Sequence, residues 1–230
     1  MTKKTAKQMI LETIKEKSNA KKIVYNKTFE GFKNLKLLLK SFVDDINKDL
    51  EKFDKDLLLK YNDRGDFEAE IKVAGDMLIF NMHTNIFEFD DNHGVWKISY
   101  VKNNKLNSYC GTINIYNFLS DSVKYNRLDD IGYLIGRIFI NKENHFFVEG
   151  KRQLGFLYND FTNGVFNKES IKKVIESTVL YALDFDLLVP PYKTVNIASV
   201  MQIKENINNS KVATGKRLGF QFYSDSEKFE

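Results

Sequence analysis

Tyr133-Leu134-Ile135-Gly136-Arg137-Ile138-Phe139-Ile140 is followed by Asn141-Lys142-Glu143-Asn144 and then by His145-Phe146-Phe147-Val148-Glu149-Gly150-Lys151. Two runs rich in β-branched and aromatic residues, separated by four turn-forming ones, predict a hairpin. A hairpin pairs its strands antiparallel without a crossover helix. This stretch therefore directs the fold toward an antiparallel sheet and away from a doubly wound parallel one.

The same period of two recurs upstream. Phe67, Ala69, Ile71 and Val73 alternate with Glu68, Glu70 and Lys72, as in a strand with one wet face. After a turn at Gly75-Asp76, Met77 to Phe89 reads as one long or bent strand. Turn formers fill 90–94, and Trp96, Ile98 and Tyr100 alternate again as a strand. Tyr109 to Ile115 predicts another strand and Asn117 to Val123 a short helix. Downstream, Leu154 to Tyr158 extends the hairpin's second arm. Asn167 is placed to cap a helix carrying Ile171, Val174, Ile175, Thr178 and Ala182 on one stripe. Pro190-Pro191 interrupts the chain, Val195 to Ile207 reads as helical, and Leu218, Phe220 and Phe222 read as a closing strand.

The first third has a different period. Ala6, Met9, Ile10 and Ile14 predict a short helix ending near Ser18-Asn19, followed by a lysine-rich connector. From Phe29 through Phe32, Leu35, Leu39, Phe42, Ile46, Leu50 and Phe53 to Leu57, apolar residues follow steps of three and four, the seam spacing of paired helices. An unbroken helix from Thr28 to Lys60 would span ~50 Å. Such a helix either breaks near Asp44-Asp45, packs in part on a second copy or lies across its own sheet; a homodimer through residues 28–60 is expected, with the helix laid on its own sheet as the alternative. The predicted class is α+β: a twisted antiparallel sheet packed by helices, with a long amphipathic N-terminal helix. Residues 1–62 form the helical segment and 63–230 the sheet domain, joined as one continuous globular unit.

Composition narrows the function classes. The single cysteine, Cys110, excludes an intramolecular disulfide and fits a reducing compartment. No segment approaches the ~20 apolar residues of a membrane span. A soluble, cytoplasmic protein without membrane contact is expected. The net charge of +4 is uneven, because residues 1–60 hold 15 lysines against 9 acids. The chain has only five arginines, and bidentate recognition of phosphate or guanine favours arginine over lysine. The basic N-terminus thus reads as solvated helix before it reads as a nucleic-acid platform.

Metal and cofactor sites lack a pattern. His83, His93 and His145 do not stand at ligand spacing, and one cysteine cannot build a thiolate cluster. Gly132 to Gly136 lacks the spacing of a phosphate cradle. No cofactor or metal is expected. One catalytic pattern does occur: Asp129-Asp130 ahead of the first hairpin arm and Glu149-Gly150-Lys151 on the second. Asp130, Glu149 and Lys151 resemble the Asp…Glu-x-Lys pattern of the restriction-endonuclease-like nucleases. That resemblance implies a divalent cation on the carboxylates and a lysine that positions water against a phosphodiester.

A short phrase also occurs twice, as Gly150-Lys151-Arg152-Gln153-Leu154-Gly155-Phe156 and as Gly215-Lys216-Arg217-Leu218-Gly219-Phe220. It places a basic pair before an aromatic run, so Arg137, Arg152 and Arg217 are candidate anchors for an anionic small molecule. The reading that follows is a non-enzymatic binding or regulatory protein acting through its sheet face and N-terminal helix, on a protein partner or an anionic ligand. Two alternatives stand beside it: polyanion or nucleic-acid binding through the lysine-rich N-terminus, and a metal-dependent phosphodiesterase.

Overall fold

The structure, a computed structural model, describes residues 4–125, 127, 128, 130–185, 197 and 199–201. Among the described residues six strands form one sheet in which every neighbouring pair is antiparallel and spatial order follows chain order. They are β1 (Lys60–Asp63), β2 (Glu68–Val73), β3 (Asp76–Met82), β4 (Cys110–Leu119), β5 (Tyr133–Asn141) and β6 (Phe146–Gly150). The fold is α+β, as the hairpin predicts. That hairpin is β5–β6, with Asn144 in the left-handed region at φ 64°, a conformation asparagine tolerates.

Two helices cover one face of the sheet. In α2 (Asn19–Leu50), Phe32, Leu35, Leu39 and Val43 are buried against Ile71, Phe80, Ile113, Ile115 and Ile138. The seam spacing is thus used intramolecularly, on the chain's own sheet. Beside α2 runs α6 (Lys168–Leu183), capped by Asn167 and burying Ile171, Val174, Ile175, Thr178 and Ala182, the stripe the sequence predicts. The helices and the inward residues of β2 to β6 share one core.

Several boundaries differ from the sequence reading. The first helix, α1 (Ala6–Thr13), does not end near Ser18-Asn19; a wider turn at Ile14–Ser18 carries it directly into α2. Residues 14–22 contain neither glycine nor proline, so nothing breaks the backbone ladder. At the other end the helix stops at Leu50 rather than at Asp44-Asp45 or Lys60. Lys60 already belongs to β1, a strand without an apolar pattern that pairs with β2. Lys36 of α2 holds the β1–β2 turn, reaching Asp63 Oδ1 at 2.6 Å and the Gly65 carbonyl at 2.8 Å.

The connection from α2 into β1 is fixed by one amide. Asn47 donates Nδ2 to the Leu59 carbonyl at 3.0 Å and accepts the Leu59 N–H on Oδ1 at 2.9 Å. Asn47→Ala removes both bonds and leaves the partly buried Leu59 backbone without partners. A loss of about 1–2 kcal/mol in a urea titration is the expected result.

The long strand predicted to Phe89 ends at Met82, and residues 83–109 fold back over the second face of the sheet. Trp96 lies on a 3-10 turn (Gly94–Lys97), Tyr100 on a short helix, α3 (Ser99–Asn103), and Ile98 at the junction between them, rather than on a strand. They pack on a cluster of rings that includes Phe139, Phe147 and Phe161, with Tyr100 5.0 Å from the His145 ring and 5.7 Å from that of Phe161. Packing against these rings overrides the local alternation. β4 runs on to Leu119, so the predicted helix at Asn117 begins only at Ser120, as α4 (Ser120–Lys124). Leu154 to Tyr158 is not a strand extension either but a helical turn, α5 (Gln153–Leu157), introduced by Arg152 at φ 48°. The outer edge of β6 is instead bonded by the chain that follows, Val148 N–H to the Tyr158 carbonyl and Phe146 N–H to that of Gly164. The predicted helix at 195–207, the strand at Leu218 to Phe222 and Pro190-Pro191 lie outside the described residues, Ile197 and 199–201 apart.

Candidate binding face: a polar ladder across the sheet

In a strand, residues two apart share a face, so the polar positions between the core residues of β2 to β6 all point away from α2 and α6. The register aligns them. Glu68 stands opposite Asn81, Asn81 opposite Asn114, Asn114 opposite Arg137, and Arg137 opposite Glu149. Five strands thus contribute one residue each to a row ~19 Å long, at about 4.8 Å per strand. The adjacent row is Glu70, Ile79, Tyr116 and Leu134, and beyond it stand Lys72, Met77 and Phe118.

The two ends of this face are electrostatically closed. Glu149 is 5 % exposed. Its Oε2 accepts from Arg137 Nε at 3.1 Å and from Arg137 Nη2, while Oε1 faces His93 Nε2 at 2.8 Å. His93 Nδ1 accepts the Val95 N–H at 3.1 Å, which leaves Nε2 to carry the hydrogen donated to Glu149. Burial works to raise the Glu149 carboxyl; the His93 hydrogen bond and the Arg137 charge outweigh it, holding the group below the ordinary carboxylate value. At the opposite flank Glu70, 2 % exposed, receives Arg64 Nε at 2.6 Å, Arg64 Nη2 at 3.0 Å and Asn62 Nδ2 at 2.8 Å.

The centre is open. Asn81 donates to Glu68 at 3.4 Å, a long contact. The Asn114 side-chain amide and the Tyr116 hydroxyl have no partner among the described residues, and both side chains are half-buried. Ile79 and Phe118 flank them, half-buried as well, and Leu134 is exposed. The 83–109 segment covers only the rings around Phe139 and Phe147, at one end of the face. An amide and a phenol without partners among the described residues, set with apolar side chains between two neutralised ion clusters, make a surface able to donate, accept and pack at once.

The candidate residues read from the sequence are distributed differently. Arg137 and Glu149 do come together, as a cross-strand ion pair. Asp130 precedes β5, where it accepts from Ser122 Oγ at 2.6 Å and pairs with Arg127 at 3.0 Å. Lys151 follows β6, its backbone N–H bonded to the Ile135 carbonyl. Among the described residues no group of three or more His, Cys, Asp or Glu is placed to hold a metal ion. Arg152 pairs with Asp184 and lies 5.7 Å from the Tyr181 ring on α6, on the sheet face opposite Arg137. Arg217 lies outside the described residues. Cys110 is fully buried, and burial pushes its thiol up, away from the reactive thiolate.

A second concavity of about 320 Å³ opens beside the N-terminus of α6, with Tyr158, Asp160, Glu169 and Lys173 in its wall. Its polar groups are largely engaged already: Lys173 with Glu169 at 2.9 Å in the same wall, Tyr158 with Ser177 at 2.9 Å, and Asp160 with Asn163 at 3.0 Å. Sequence reasoning missed His93, which lies 56 residues from Glu149 and carries no local signal. It also missed Asn81 and Asn114, although a polar residue between Phe80 and Met82 or between Ile113 and Ile115 was a readable one.

No protein-family model, curated protein or solved structure matches the chain. Among the described residues no helix is long and apolar enough to cross a membrane.

Proposed function

We propose that this is a non-enzymatic binding module of the cytoplasm that receives a protein segment on the open half of its sheet. The observation carrying this reading is the pair Asn114 and Tyr116, whose side-chain polar atoms have no hydrogen-bond partner among the described residues and lie between the Glu149 and Glu70 ion clusters. Unpaired amide and phenol groups beside Ile79 and Leu134 match a partner that offers backbone or side-chain amides together with apolar side chains. Glu149 supports binding over proton transfer, because both its oxygens are already engaged and its carboxyl is held ionised. A single buried cysteine is consistent with a reducing compartment.

Site-specific photo-crosslinking tests the reading. A benzophenone amino acid at Tyr116 or Ile79 is expected to trap one discrete protein in cells, whereas the same group at the exposed Lys172 of α6 is not. Asn114→Arg in the crosslinking chain is expected to abolish the Ile79 product by placing a bulky charge on the face. Equal trapping from Lys172, or a product indifferent to Asn114→Arg, would rule the face out.

A further inference from the structure

The continuous helix from Ala6 to Leu50 is ~67 Å long at about 1.5 Å per residue, and its two ends carry opposite charge. Every one of residues 4–19 is exposed, including Met9, Ile10, Leu11 and Ile14 at roughly half of full exposure, although Lys17 reaches the Tyr109 ring at 5.3 Å and Glu88 at 4.0 Å. Over residues 4–22 this arm bears Lys4, Lys7, Lys15, Lys17, Lys21 and Lys22 against Glu12 and Glu16. The far end is the reverse. Between 44 and 56 stand Asp44, Asp45, Asp49, Glu51, Asp54 and Asp56 against three lysines, with Phe53 80 % exposed and Leu57 44 % exposed.

Both ends oppose the helix dipole, whose positive pole lies at the N-terminus and whose negative pole lies at the C-terminus. For the isolated chain this is the unfavourable arrangement. Lys7 and Lys15 on the arm, and Asp44 and Glu51 on the tail, form no ion pair among the described residues. Within one molecule the two patches cannot meet, because Ile10 and Ile46 are ~54 Å apart along a straight helix.

We propose that two copies of this chain associate antiparallel, the basic arm of each lying along the acidic tail of the other. A twofold axis near the middle of the helix repeats the contact and closes the assembly. Each repeat places lysines on carboxylates and brings Met9, Ile10 and Ile14 toward Phe53 and Leu57. A second copy answers both features of the arm, charge and apolar surface, whereas a polyanion answers the charge alone. The sheet face with Asn114 and Tyr116 is a separate surface, so this dimer stands or falls independently of the binding reading.

The test is charge reversal in trans, read by light scattering and sedimentation of the full chain, with circular dichroism confirming the fold. The wild type is expected to be a dimer at ~50 mM salt, with affinity falling about tenfold or more at ~500 mM. Lys7→Glu with Lys15→Glu, or Asp44→Lys with Glu51→Lys, each weakens the dimer at least ~10-fold, because like charges then face each other twice. An equimolar mixture of the two variants re-forms a heterodimer, since the reversed arm meets the reversed tail while the native arm meets the native tail. A wild type that stays monomeric, or an open series of oligomers growing with concentration, would overturn the proposal. So would a mixture that fails to re-form dimers. A monomer that binds labelled duplex and loses that binding in the arm variant would assign the arm to polyanions instead.

Discussion

Gly111→Ala should cost about 3 kcal/mol or more, at the upper end of what overpacking does to a core. β4 passes directly beneath α2 at this residue. A Cβ on Gly111 would lie 2.1 Å from Thr28 Oγ1, 2.7 Å from Thr28 Cβ and 2.8 Å from Cγ2. Carbon atoms need roughly 3.5–4.0 Å between them. Thr28 is fully buried, and its hydroxyl is bonded to the Val24 carbonyl at 2.8 Å, so it cannot swing away. The helix must lift instead, which opens space beside Phe32 and Leu35, both wholly buried in the same core. Thr28→Ala in the same chain is expected to relieve little, because the Thr28 Cβ itself is in the way. Thr28→Gly removes the obstruction and recovers part of the loss, less its own helix cost of about 1 kcal/mol. Urea titrations of the three variants check this. A Gly111→Ala protein within about 1 kcal/mol of the wild type would mean that α2 does not rest on β4 at this point.

The parts of the fold legible in the sequence are those where one physical signal dominates. The β5–β6 hairpin and β2 are runs whose apolar residues face a covered side, and the α2 seam is long enough for its period to be unmistakable. Where two signals compete, the reading fails. Lys60-Tyr61-Asn62-Asp63 has no apolar alternation, and its strand exists because β2 offers an edge and Lys36 ties down the turn. Trp96, Ile98 and Tyr100 alternate like a strand, yet their job is to lid Phe139 and Phe147, which a 3-10 turn and a short helix do at closer range. Leu154 to Tyr158 is apolar enough for a strand. Gly155, however, approaches the Gly150 carbonyl so closely that a Cβ there would lie 2.4 Å from its oxygen, and the chain turns helically at that contact.

The binding face divides along the same line. Glu149 is legible as the acid of Glu149-Gly150-Lys151, and Arg137 as one of five arginines and a candidate anion anchor. That they pair follows from hairpin register, which the turn Asn141 to Asn144 sets. The third member, His93, arrives from the connection between β3 and β4, and only tertiary structure brings it there. The counts over residues 1–60 show only an excess of lysine; the division into a basic arm and an acidic tail takes on meaning with the helix unbroken from Ala6 to Leu50.

Glu149→Ala is expected to destabilise the protein by about 2 kcal/mol near neutral pH, and by progressively less in acid. The substitution leaves Arg137 and the His93 Nε2 hydrogen without their acceptor. The cost stays below that of breaking a fully buried pair because the Arg137 side chain is 41 % exposed and regains water. Glu149 is held below its ordinary value of 4.5 in the folded protein, so its contribution is complete above that value, where the unfolded chain too is ionised. As pH falls through the folded value, the carboxyl takes up a proton and the contribution disappears. The gap between wild type and Glu149→Ala should therefore be constant at and above about pH 5 and close below about pH 4.5. Glu149→Gln keeps an acceptor for Arg137 but loses the charge, so it should fall between the two and show a flatter pH dependence. Stability curves from chemical denaturation across that range decide the matter. A gap that stays constant into strong acid, or widens there, would show that the carboxylate is not held ionised by His93 and Arg137, and the closed end of the ladder would have to be described again.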